Sequence, residues 1–182
     1  MKNRYYSLIP VGRETDWYLV APKDTSGEKI NPWIFASGTK YTGDSIHFDV
    51  KREGNQSAVT FLMYGYPVIS TEVANALNNA CGSEIQLIET TITGYGTYYI
   101  LNVLNVIDCL DHSCVISYYE DNYFLEYRRG LPSFVLKLKI ERTKLQQQKI
   151  FRVKDWRLPI VVSEEIFQLF KEYHVNGFRI EL

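Results

Sequence analysis

Apolar and polar residues alternate along this chain at two different spacings, and the changes of spacing mark its elements. "WYLVAP" (Trp17 to Pro22) and "WIFAS" (Trp33 to Ser37) are aromatic and β-branched runs that predict strands, separated by the turn-forming "KDTSGEKINP". In "IHFDV", Ile46, Phe48 and Val50 alternate with His47 and Asp49, the pattern of a half-buried strand, and "REGNQS" (Arg52 to Ser57) follows as a loop. Further on the spacing lengthens. Ser70 can cap a helix whose first turn holds Glu72 and whose apolar face is Val73, Ala76, Leu77 and Ala80. Gly82 is placed to stop it, and "EIQLIETTI" resumes a strand.

The end of the chain, from Ile150 to Leu182, repeats this plan in "IFRVKDWRLPIVVSEEIFQLFKEYHVNGFRIEL". Ser163 is the expected cap, Glu164 and Glu165 fill the first turn, and Ile166, Leu169, Phe170 and Tyr173 form the face. Asn176 and Gly177 are the expected stop before "FRIEL". Ile69–Ser70 falls on Val162–Ser163, Glu72 on Glu165 and Leu77 on Phe170, with Pro67 and Pro159 just upstream. An ancient duplication and two separate uses of one capping chemistry both explain this. Either way the pattern predicts a single α+β domain over residues 1–182, mainly antiparallel or mixed sheet with two or three short helices. The expected strand–helix–strand pseudo-repeat would divide the chain into halves of about 1–94 and 95–182.

Composition narrows the function classes. A net charge of −1 gives no global field favouring nucleic acid or a membrane surface. No run approaches the ~20 apolar residues of a spanning helix, and "MKNRYYSLIPVGRETDW" lacks the apolar core of a signal peptide. Cys81, Cys109 and Cys114 are odd in number and contain no C-x-x-C pair, so neither a disulfide framework nor a zinc knuckle is expected. The expectation is a cytoplasmic protein without metal or cofactor. The 14 tyrosines stand out, because tyrosine suits both half-buried sheets and interfaces.

Candidate chemistry concentrates in "YYILNVLNVIDCLDHSC" (Tyr98 to Cys114). From Tyr98 to Leu110 both parities are mostly apolar, which fits a strand covered on both faces. A helix competes, since Asn102, Asn105, Asp108 and His112 share one helical arc, but the β-branched residues and asparagines favour strand. "DHS" then reads as a turn in which Asp111 bonds backbone two residues on, and "CVISYYEDNYFLEY" returns as a hairpin partner. In an extended strand Cys109 and His112 point to opposite faces, which removes the simplest Cys–His nucleophile. "GYGTYY" (Gly94 to Tyr99) lacks a phosphate-loop lysine and reads as a β-turn.

Two further features bear on binding. Residues 128–157 hold ten Lys and Arg against Glu141 and Asp155, enough to raise a nucleic-acid-binding module as an alternative. Within them "VLKLKIE" places Leu136, Leu138 and Ile140 inward and the lysines outward, the pattern of a solvated strand face. Tyr118, Tyr119, Tyr123 and Tyr127 form the best local candidate for an aromatic hot spot.

"YYILNVLNVIDCLD", followed closely by Ser113, and the terminal "IFRVKDWRLPIVVSEEIFQLFKEYHVNGFRIEL" resemble the bacterial immunity proteins of polymorphic toxin systems. The closest type is the family numbered eleven, or a sister family. The resemblance covers about the last half of the chain and departs from the pattern at "HSC" after Asp111. It implies a non-enzymatic protein that occludes a cognate toxin, and no catalytic residue carries over from it. Asp108, Leu110 and Asp111 match its pattern, so the expected partner-binding set is Tyr118, Tyr119, Tyr123, Tyr127, Asp108 and Asp111. A hydrolase built on Cys109 and His112 is the third reading.

Overall fold

The computed structural model describes residues 4–8, 14–62, 65–173 and 178–182, without the side chains of Tyr127 and residues 178–181. In chain order, β1 (Tyr5–Leu8) and β2 (Tyr18–Leu19) precede a 3₁₀ helix, Pro32–Ala36. β3 (Ile46–Phe48), β4 (Val50–Arg52), β5 (Val59–Phe61) and β6 (Pro67–Ile69) lead to helix α1 (Thr71–Cys81). β7 (Ile85–Ile92), β8 (Gly96–Val103), β9 (Val106–Ile107), β10 (Val115–Tyr118) and β11 (Pro132–Leu136) follow. β12 (Ile150–Val153), β13 (Trp156–Ser163), helix α2 (Glu164–Glu172) and β14 (Phe178–Glu181) complete the set. This is the expected α+β fold with mixed sheets and two short α-helices. Neither helix is long and apolar enough to cross a membrane.

Two five-stranded sheets carry the fold, in the orders β3-β7-β8-β6-β5 and β14-β1-β13-β12-β9. Pairing is antiparallel except for β3 beside β7 and β9 beside β12. The units β5-β6-α1-β7 and β12-β13-α2-β14 correspond. In each, the helix carries the chain past one strand position and leaves a slot between two parallel strands. β8 fills the first slot, antiparallel to β6 and β7. β1 fills the second, antiparallel to β13 and β14. The sheets therefore do not divide the chain near residue 94: β8 stays with the first, and β1 joins the second.

The helices face each other across one core. Val73, Leu77 and Cys81 of α1 and Ile166 and Phe170 of α2 pack with Ile69, Leu101 and Val103 from the first sheet and Leu8, Ile160 and Val162 from the second. Opposite parities feed two outer clusters, Phe48, Val68 and Ile100 on the first sheet and Tyr5, Phe151 and Val161 on the second. Each sheet is thus covered on both faces, which explains consecutive buried apolar residues such as Ile100–Leu101 in β8 and Ile160–Val162 in β13. Each such side chain withdrawn from water contributes roughly 1.5–3 kcal/mol. The helix face of α1 is wider than the spacing predicts, because Ala74 and Cys81 are buried while Ala76 and Ala80 are half-buried.

Both serines precede their helices with nearly the same extended backbone, φ −67°, ψ 162° at Ser70 and φ −69°, ψ 166° at Ser163. Only Ser70 caps with its side chain, accepting the Val73 N–H at 3.5 Å. The Ser163 hydroxyl is buried without a hydrogen-bond partner, and the Glu164 amide donates instead to the Arg4 carbonyl at 3.0 Å. Gly82, at φ +51°, ends α1 as expected. The expected stop of α2 at Asn176–Gly177 and His174 lie outside the described residues.

Five sequence expectations change. "WIFAS" is no strand: Pro32 opens a 3₁₀ helix, and the Asn31 side chain accepts the Trp33 N–H at 3.1 Å. "WYLVAP" supplies a strand of Tyr18 and Leu19 only. The Tyr98–Leu110 run is two strands in different sheets, broken where the Asn105 side chain donates to the Glu84 carboxylate at 2.8 Å and the Ile150 carbonyl at 3.3 Å. The segment after Cys114 pairs with β11, not with β8. Finally, Leu136 points outward, because Lys137 at φ +54° breaks the alternation before Leu138 and Ile140 turn inward.

Candidate protein interface

Between Cys109 and Glu141 the chain leaves the second sheet as a two-stranded arm. Its base is buried: Leu110 faces Ile140, the Glu141 N–H donates to the Cys109 carbonyl at 2.8 Å, and Cys109 and Leu110 join the cluster around Phe151. Beyond the base, β10 and β11 pair Val115 with Leu136, Ile116 with Val135 and Ser117 with Phe134. Side chains alternate across such a ribbon. Ile116 and Val135 pack back against the core cluster. The other face leaves Val115 63%, Phe134 52% and Leu136 46% exposed, and Phe124 in the connecting loop is 76% exposed. A two-stranded ribbon is marginal alone, and an exposed apolar face of this kind is a candidate contact surface.

The sequence-predicted residues separate around this arm. Tyr118 is exposed on β10. Tyr119 and Tyr123 are half-buried and pack with their rings tilted by 41°, centroids 4.4 Å apart, with Phe124 4.6 Å from Tyr123. The Tyr127 side chain is outside the description. The tyrosines form no single ladder, because the strand stops at Tyr118 and a looped segment follows. Asp108 is exposed and pairs with Lys154 at 3.2 Å. Asp111 accepts the Ser113 N–H at 2.8 Å, the expected turn, and that bond holds its carboxyl below the ordinary carboxylate range.

The remaining chemistry in the cluster is equally local. Cys109 is fully buried, and burial pushes its thiol up to about 11, so little thiolate exists at neutral pH. His112 is exposed on the turn. The Cys114 sulfur accepts the Lys139 N–H at 3.1 Å. Among the described residues, no three His, Cys, Asp or Glu side chains converge as metal ligands do. The basic stretch is dispersed. Arg129, Lys144, Lys149 and Lys154 pair with Glu126, Glu141, Glu165 and Asp108, and Arg152 is buried.

Behind the arm lies a groove of about 560 Å³ between the 3₁₀ helix and the start of β13. Trp33, Tyr119, Leu131 and Leu158 give it apolar walls, and Arg128 and Arg157 line it with Asp155. The Arg128 guanidinium sits 5.6 Å from both the Trp33 and Tyr119 ring centroids and donates to the Tyr119 hydroxyl at 3.1 Å. Gly65 makes one wall possible: at φ +71°, a Cβ there would meet the Leu158 carbonyl oxygen at 2.2 Å.

Sequence reading missed Trp33, Phe124, Phe134, Leu136 and Arg157. The alternation in β10 and β11 does put Val115 with Ser117 and Phe134 with Leu136, but periodicity is silent on which face the core covers. Neither a family model nor a curated protein matches the chain, so the immunity-protein resemblance rests on the quoted residues.

Proposed function

We propose that this protein is a bacterial immunity protein that binds a cognate toxin in the cytoplasm of the producing cell and neutralises it by steric occlusion, without chemistry of its own. The observation that carries the reading is the open apolar face of the arm, which offers Val115, Phe134, Leu136 and Phe124 to a partner. Aromatic and aliphatic anchors of this kind form the energetic centre of protein interfaces. The "IDCLD" and terminal motifs add the toxin-system context. Asp108 and Asp111 serve on this reading as supports of the arm's base, and the partner-binding role moves from them to the arm's outer face.

The competing readings have less behind them. A Cys109 nucleophile would need a thiolate, and its thiol is buried and protonated. A nucleic-acid track would need the cations of residues 128–157 on one face, and four of them are paired with carboxylates elsewhere.

Co-expression with the product of the adjacent gene tests the proposal. Cells should survive that product only when this protein is present, and the two should elute as one complex. Phe134→Asp should abolish both effects without unfolding the protein. Equal killing with and without this protein, and no complex, would sink the immunity reading.

A further inference from the structure

The groove behind the arm carries at Arg157 an exposed guanidinium that no carboxylate among the described residues pairs. Arg152 is fully buried, and its guanidinium donates only to carbonyls: Arg157 at 2.5 Å, Gly65 at 2.9 Å, Leu158 at 3.4 Å and Phe35 at 3.5 Å. Its Nε finds no partner. Arg157 and Leu158 line the groove and Phe35 belongs to the 3₁₀ helix, so Arg152, behind the lining, is a positioning residue that ties the 3₁₀ helix to β13. Burial first, then the nearby charge of Arg157, lowers its guanidinium to about 9, which leaves it protonated at neutral pH. Arg157 itself is exposed; it donates to the Ser37 carbonyl at 3.1 Å and pairs with no carboxylate among the described residues. Two guanidiniums, those of Arg128 and Arg157, line the groove with one acid, Asp155.

We propose that this groove receives an acidic peptide segment of the bound protein, its carboxylate paired with Arg157 and an adjacent large apolar side chain seated between Trp33 and Leu158. The inference rests on the reading that the partner is a protein. Charge complementarity selects the carboxylate, because an arginine fork matches it bidentately. The aromatic and leucine walls select the apolar neighbour. Single-stranded nucleic acid also uses arginines and aromatic rings, but it needs a track of cations that follows the phosphates. Here Lys144, Lys149 and Lys154 are held by Glu141, Glu165 and Asp108, which leaves no such track beside the groove.

Selection of displayed random peptides on the immobilised full chain, followed by fluorescence anisotropy of a selected peptide, tests the assignment. The selected sequences should place Asp or Glu beside Phe, Trp or Leu. Arg157→Glu, with unchanged melting temperature, should weaken binding roughly tenfold or more, the loss of one charge-assisted pair. Arg157→Lys should restore part of that loss, and Phe134→Asp on the arm should change peptide affinity less than about twofold. Peptides without acids, indifference to Arg157→Glu, or failure to select any peptide would each overturn the proposal. So would oligouridine binding that Arg157→Glu abolishes, which would give the groove to nucleic acid. Peptides released by Phe134→Asp but not by Arg157→Glu would leave protein binding standing and remove the groove. A co-expression failure beside intact peptide binding would instead remove the immunity reading alone.

Discussion

The β7–β8 and β10–β11 ribbons obey the same antiparallel pairing and stand in opposite relations to water. In the first, Ile88, Ile92 and Ile100 fill one cluster and Ile85, Leu101 and Val103 fill another, so apolar residues are covered on both faces. In the second, Ile116 and Val135 are covered while Val115, Phe134 and Leu136 are not. The difference comes from neighbours. β6 and β3 flank the first ribbon and α1 packs on it, whereas β10 and β11 have no third strand in their sheet. A covered ribbon stores stability; an open one leaves apolar area in water, and on the proposed function that area is what a partner would cover.

The sharpest way to break this comparison is to truncate both ribbons. Ile100→Ala should cost about 2–5 kcal/mol in urea unfolding, because it leaves a cavity in a covered face. Phe134→Ala should stay within about 0.5 kcal/mol, as an open surface position does. A comparable loss at Phe134 would show that the arm is structural after all.

Binding should show the reverse order. Phe134→Ala, at the centre of the open face, should weaken the complex with the proposed partner by ~2 kcal/mol, roughly thirtyfold, in calorimetric titration. Tyr118→Ala on the same ribbon should act in the same direction. Tyr119→Ala is a less clean probe, since its hydroxyl also holds Arg128. Unchanged affinity in Phe134→Ala would move the interface off this face.

The two corresponding units give a smaller contrast. Ser70→Ala should cost on the order of 1 kcal/mol, the ordinary loss of a side-chain cap. Ser163→Ala should be neutral or stabilising by a few tenths, since its buried hydroxyl has no partner to lose. Equal losses on chemical denaturation would mean that Ser163 caps in solution.

The smallest effect separates the arm's base from its tip. Cys109 has a folded value of about 11 against an ordinary 9.0, so the folded state binds its proton more tightly. Its contribution is fully present below pH 9 and is lost as pH rises through about 11. Cys109 should therefore resist iodoacetamide at pH 8 while half-buried Cys114 labels first, as read by mass spectrometry of the native protein. Faster labelling of Cys109 would mean that the base opens.

Local signals in the sequence determined the two helices, their start positions and the Asp111 turn. Caps, glycine stops and Asx turns act within a few residues, so Ser70, Gly82 and Asp111 carry their information in their own neighbourhoods. Fold class followed, because helix and strand periods differ. Tertiary structure alone decided the rest. Whether Tyr98–Leu110 stays in one sheet depends on Glu84 and Ile150, which reach Asn105 from distant parts of the chain. That β1 fills the slot beside β14 depends on two strands at opposite ends of the description. The outward face of the arm was undecided for the same reason: alternation sorts residues into two sets, and only the packing of the base against Phe151 tells which set meets water. Arg157 and Trp33 stand far apart in sequence, and the buried Arg152 guanidinium, bound to carbonyls of the 3₁₀ helix and β13, is what brings them to one groove.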